Sequence, residues 1–122
     1  MPETEIVFFA EEDGSAPLLK WLDALEKPKA RDKCIVRIER LAEIGYELTR
    51  PEADFLRDGI YELRTQWEGV QYRMLYFFVG PIAVISHGCL KRTVRVPEKE
   101  IAAALERKAR YERNPEKYSY RE

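Results

Sequence analysis

Residues 60–88 contain three strand-like runs, IYELRTQ (60–66), VQYRMLYFFV (70–79) and IAVISHG (82–88), joined only by short links around Glu68-Gly69 and Gly80-Pro81. Their β-branched and aromatic residues favour an extended chain. Links this short cannot carry the chain back along a sheet, so each run must turn and pair antiparallel with the next. Few other features of the chain restrict its folding as much. A meander also fixes which side chains share a face, because a one-residue slip moves every side chain to the other side.

The register of the first hairpin follows from its loop. A two-residue loop at Glu68-Gly69 pairs Trp67 with Val70, and a four-residue loop pairs Gln66 with Gln71. Both place Arg64 directly opposite Arg73, whereas a three-residue loop would destroy that pairing. Like charges opposed across a sheet are destabilising. Two explanations stand open: an anion such as phosphate lies on that face, or Glu62 and solvent screening relieve the repulsion. In the second hairpin the same reasoning pairs Arg73 with Gly88. Ser86 then joins the arginine face, and His87 points the other way with Met74 and Tyr76. Only a bulge near Gly80-Pro81 or at Gly88 would re-aim His87.

The flanks read as helices and one more strand. EIVFFAE (5–11) has strand composition, and Ser15 is a candidate helix cap ahead of Pro17. Leu18, Trp21, Leu22 and Leu25 recur at helical spacing. A second helix is expected over 29–44, with Cys34, Ile35, Ile38, Leu41 and Ala42 on one stripe and Gly45 as its stop. Residues 45–59 read as a loop. A last helix opens at Pro97, with acids first and cations later, as the macrodipole favours. The order is β-α-α-β-β-β-α. This predicts an α+β domain, a small antiparallel sheet with an N-terminal helical hairpin and a C-terminal helix. Residues 1–122 read as a single domain with a polar, mobile tail after about residue 114.

Charge is uneven along the chain. The net charge is −1, so no global field argues for a polyanionic partner. Yet from Arg57 to Pro97 six cations face three acids, and Lys91, Arg92 and Arg95 cluster just after the only histidine. Such asymmetry hints at an anionic ligand. The amino terminus lacks the pattern of a signal peptide, and no apolar run reaches membrane-spanning length. A cytoplasmic protein without a membrane partner is expected. Cys34 and Cys89 stand far apart and there is one histidine, so no metal or other cofactor is expected.

The stretch DGIYELR…YRMLYFFVGPIAVISHGCLKRTVRVPEKEIAAALERKARY resembles the RelE/ParE superfamily of type II toxins, in its HigB-like, phage-derived branch. The marks are a glycine before YELR, a YR opening the next strand, a strand ending in His-Gly, a basic cluster, and Pro-x-x-x-Ile opening the last helix. The likeness is sharpest over residues 56–111. It implies a metal-independent endoribonuclease that cuts translated mRNA on the ribosome and inhibits translation. It also implies a cognate antitoxin of helix-turn-helix DNA-binding type. Arg64, Arg73, His87 and Lys91 are then the catalytic set. The arginines would hold the phosphate, His87 would move a proton, and Lys91 would neutralise charge. Arg92 and Arg95 would bind the RNA backbone. Trp67, at a hairpin tip, could stack on a base or pack on the loop. The alternatives are a non-enzymatic, ParE-like inhibitor of a protein target, or an inactive antitoxin-binding module. The chain departs from relatives at Val96, where threonine is common, and in having no tyrosine after the basic cluster until Tyr111.

Overall fold

A computed structural model describes residues 3–92 and 94–121. The elements are β1 (Glu5–Phe8), α1 (Pro17–Ala24), α2 (Pro28–Ile44), a short 3₁₀ turn (Gly45–Glu47), β2 (Ala53–Arg57), β3 (Ile60–Trp67), β4 (Val70–Val79), β5 (Ile82–Lys91) and α3 (Glu98–Arg113). One five-stranded sheet runs in the order β1-β5-β4-β3-β2. The α+β class is as the sequence predicts, with helices N- and C-terminal to the meander.

The sheet is mixed rather than purely antiparallel. β1 pairs parallel with β5, which the long intervening chain, the helical hairpin followed by β2, β3 and β4, permits. The sheet also has a strand where the sequence reading placed a loop. β2 pairs antiparallel with β3, and their turn is Asp58-Gly59, with φ of 51° and 83°. Both residues occupy the left-handed region, as a tight two-residue hairpin turn requires.

Glu68-Gly69 repeats that geometry, with φ of 48° and 78°. Trp67 therefore pairs with Val70, and Arg64 stands opposite Arg73 as the two-residue loop dictates. In the second hairpin Val79 pairs with Ile82, but the register shifts farther along. Tyr76 pairs with Ile85 and Leu75 with His87, leaving Ser86 as an extra, bulged residue. The bulge lies at neither position anticipated from the sequence. It turns His87 onto the arginine face, correcting the unbulged expectation. Gly88 then faces α1, where a Cβ would come within 2.1 Å of the Trp21 ring.

Each face of the sheet carries its own core. α1 and α2 cover Leu63, Tyr72, Met74, Tyr76 and Ile85 with Leu18, Leu22, Cys34, Ile38 and Leu41. α3 covers Ile60, Leu75, Phe77 and Val84 with Ile101, Ala104 and Tyr111. Burying a side chain of this size contributes roughly 1.5–3 kcal/mol. Ser15 does not cap α1: its N–H and hydroxyl both go to Asp13 Oδ1, at 2.9 and 2.6 Å, and Ala16 takes the cap position. Pro28 begins α2 rather than merely breaking α1.

The segment after Asn114 is ordered against the sheet, contrary to the expected mobile tail. Tyr118 stacks on Phe9 with ring centres 5.5 Å apart. The Ala10 N–H donates to the Tyr118 carbonyl at 2.7 Å, and the Tyr120 N–H donates to the Phe8 carbonyl at 2.8 Å. Paired backbone and a buried ring outweigh the polar composition that suggested mobility.

Candidate functional site

The β3–β4–β5 register lays polar side chains in rows on the face that α3 only partly covers. Gln66, Gln71 and Lys91 form one row, and Arg64, Arg73 and Cys89 the next. A third row runs from Asp54 through Glu62 and Leu75 to His87. The Ser86 bulge brings the β5 members of these rows into line.

Arg73 is only 2% exposed. Its Nε lies 3.1 Å from Glu62 Oε1, without the alignment of a hydrogen bond. Its other nitrogens donate to the Tyr72 carbonyl at 3.0 Å and to Gln71 Oε1 at 3.1 Å. Burial pulls its pKa below the ordinary arginine value, against the attraction of Glu62. Arg64 sits on the other side of the same carboxylate, 3.9 Å from Glu62 Oε2, with its side chain 28% exposed. Glu62 thus supplies the charge relief that register alone left open between two explanations. Arg73 faces inward and Arg64 faces the solvent side.

A cleft of about 370 Å³ opens beside Arg64, between β2–β3, the end of β5 and the start of α3. Five cations line it: Arg50, Arg57, Arg64, Lys91 and Arg95. Three carboxylates, Asp54, Glu62 and Glu98, share the wall. Arg50 grips Asp54 Oδ2 through two nitrogens at 3.0 and 2.8 Å, which holds that carboxyl below its usual range. Arg57 is paired with both Asp58 and Glu98. Lys91 has its pKa lowered, first by burial and then by the neighbouring Arg73 charge. These contacts hold several cations in fixed positions, and positive charge remains in excess.

His87 lies outside that cleft. It is 8% exposed beneath α3, with Nε2 3.1 Å from Glu100 Oε1. Its Nδ1 lies 2.8 Å from Ser86 Oγ and 3.1 Å from an Arg107 nitrogen. Arg107 can only donate, so Nδ1 accepts, and the neutral ring presents its Nε2–H to Glu100. Burial and Arg107 lower the His87 pKa, with Glu100 opposing them. Trp67 lies on the other face of the sheet, where Lys29 and Lys33 sit 5.7 and 5.4 Å from its ring centre. Arg92 is exposed just past the end of β5 and lines a shallow hollow with Lys91 and Gln71. Tyr111 is buried against Phe77, away from the cleft.

The structure therefore gathers Arg64, Lys91 and Arg95 in one cleft, with Arg73 behind them. It leaves His87 under α3 and Trp67 on the far side. Sequence reasoning missed Arg50 and Arg57 as cleft residues, and Glu100 and Arg107 as partners of His87. Arg50 and Arg57 fell within the segment read as loop; the Asp58-Gly59 turn was the signal that would have revealed the strand carrying Arg57, whereas Arg50 lies in the turn that precedes it. Among the described residues, no group of three or more His, Cys, Asp or Glu is placed to hold a metal ion.

The family described as phage derived protein Gp49-like (DUF891) matches residues 20–109. The chain belongs to that family. Gp49-like proteins form a RelE/ParE-like toxin family of toxin–antitoxin systems, and membership implies an antitoxin partner. The match runs from α1 into α3 and so takes in the whole cleft. It also reaches the helical hairpin, where the sequence resemblance rested on element order alone. No curated protein matches this Gp49-like chain. None of its helices is long and apolar enough to cross a membrane, among the described residues.

Proposed function

We propose that this Gp49-like chain is a HigB-like toxin whose cleft binds RNA and cuts translated messages, and that a helix-turn-helix antitoxin neutralises it. The observation that carries this reading is the convergence of Arg50, Arg57, Arg64, Lys91 and Arg95, from separate segments, on one cleft. Arginine stays protonated and binds phosphate through two donors, so fixed guanidinium groups suit a phosphoryl transition state.

RNA brings its own nucleophile. In the proposed step the 2′-hydroxyl gives its proton to a cleft carboxylate, Asp54, Glu62 or Glu98, and its oxygen attacks the adjacent phosphorus. The bond from phosphorus to the 5′-oxygen breaks. Lys91, whose lowered pKa eases loss of a proton, protonates the leaving oxygen. The products are a 2′,3′-cyclic phosphate and a 5′-hydroxyl end. Arg64 holds the phosphate, Arg73 positions Glu62 and the strand behind it, and Arg92 and Arg95 guide the flanking backbone. His87 supports α3 in this arrangement.

A second reading is a non-enzymatic ParE-like inhibitor, whose cleft receives an acidic protein segment. The placement of His87 under α3 favours it, because the histidine is buried against Glu100 and does not line the cleft. The end chemistry of RNA from cells expressing the chain separates the two. New 5′-hydroxyl ends within translated messages support the nuclease. Growth arrest with intact messages favours the inhibitor.

A further inference from the structure

Arg64 lines two hollows. One is the cleft already described. The other, about 240 Å³, is bounded by Arg37, Arg64, Arg73, Gln66 and Gln71, among others. It lies just beyond the last β2–β3 pair, Ala53 with Leu63, where the Arg64 N–H still donates to the Glu52 carbonyl at 2.8 Å and the chain then turns away at Pro51. Arg37 reaches across from α2 and donates its Nε to the Arg64 carbonyl at 2.9 Å. Its NH1 donates to Glu52 at 2.7 Å. The guanidinium is thereby held in place rather than left to wander in solvent.

The hollow is lined by donors. Among the described residues no carboxylate lines it, in contrast to the cleft. Gln71 Oε1 is taken by Arg73, so the amide of Gln71 offers N–H groups. Gln66 stands opposite Gln71 and is exposed. Arg64, the remaining nitrogen of Arg37 and the amides of Gln66 and Gln71 offer donors around one hollow, while Arg73, buried and committed to Glu62, Tyr72 and Gln71, adds only its charge from behind. An anion that also carries hydrogen-bond acceptors suits such a site, and a nucleotide fits that description.

We infer that this hollow is a second nucleotide subsite, taking the residue next to the one whose phosphate lies in the cleft, with Arg64 shared between them. The inference rests on the RNA reading of the cleft. It implies that a single strand crosses the sheet end from the α3 side to the Arg37 side, held by both sets of cations.

The test uses the full chain and an RNA tetranucleotide with 2′-O-methyl groups, which blocks the nucleophile. Gln66→Glu and Gln66→Lys place opposite charges at the rim of the second hollow without removing any hydrogen bond the fold uses. The inference expects Gln66→Glu to weaken binding and Gln66→Lys to tighten it, each by about fourfold for one charge near a phosphate in water. Gln66→Lys should also steepen the salt dependence by about 0.7 in log–log slope. Lys91→Gln reports on the cleft independently. If the two Gln66 variants bind alike while Lys91→Gln binds more weakly, the second subsite is wrong and the cleft reading stands. If the wild type does not bind the tetranucleotide, the cleft reading fails and the inference falls with it.

Discussion

Arg64 and Arg73 face each other across the β3–β4 ladder, yet they live in different media. Arg73 is 2% exposed and tied to Glu62, Tyr72 and Gln71, while Arg64 opens onto the cleft. Their separation of roles rests on Glu62, a buried carboxylate that answers both charges.

Stability should therefore respond very differently to the two arginines. Arg73→Ala leaves the buried Glu62 with only the more distant Arg64, 3.9 Å away, and empties a fully buried site, so it should destabilise the chain by about 3 kcal/mol. Arg64→Ala removes a partly exposed cation 3.9 Å from that carboxylate and should change stability by no more than about 1 kcal/mol. Urea unfolding of both variants checks this. Equal losses would mean that Glu62 does not discriminate between the two.

His87 makes a pH prediction. Its folded pKa lies below the ordinary value of 6.5, through burial and Arg107, with Glu100 opposing and Ser86 hydrogen-bonded to the ring. The unfolded chain therefore takes up the proton first as pH falls. The contribution of His87 is fully present above about pH 6.5 and declines as pH drops from there toward the depressed folded pKa. Denaturation between pH 7.5 and 5.5 should show the decline in wild type and a shallower one in His87→Gln. Identical slopes would sink the idea.

Gly88 is set by close approach. A methyl group there would overlap the Trp21 ring, so Gly88→Ala should cost about 1–3 kcal/mol. The same substitution in a Trp21→Leu background should cost clearly less, because the two sites share one contact. A strictly additive double mutant would contradict this account of the His-Gly pair.

Tyr118 ties the C-terminal segment to β1. Tyr118→Ala removes the ring stacked on Phe9 and should destabilise by roughly 3 kcal/mol. Hydrogen exchange at Ala10 and Tyr120, whose N–H groups bond across this seam, should accelerate in the variant. Unchanged exchange would show that the seam holds without the ring.

Much of this site was legible in the sequence, because loop length fixes hairpin register. Glu68-Gly69 was enough to set Arg64 against Arg73. What was not legible depended on contacts distant in sequence. The bulge at Ser86 is stabilised from α3, through Arg107 and Glu100, and no pattern within 82–88 marks it. β2 is different: the Asp58-Gly59 turn announced it, but the flanking strand, ADFLR, is short and alternates weakly. The tail looked mobile by composition, and its order comes from one aromatic ring meeting Phe9 across the fold. Trp67, read at the hairpin tip as able to stack on a base or pack on the loop, instead ends β3 and packs on the helical-hairpin side near Lys29 and Lys33 of α2, a contact distant in sequence.

The most direct test of the account is to map mRNA 5′ ends after brief induction of the wild type, Arg64→Ala and Lys91→Ala in a bacterial host. The account predicts growth arrest and new cuts within translated messages for the wild type. Each variant should lower the cutting by about 10²–10³-fold, on the scale of a lost transition-state contact, while remaining folded. Cutting that persists undiminished in both folded variants would contradict the assignment of this cleft as the site of RNA cleavage.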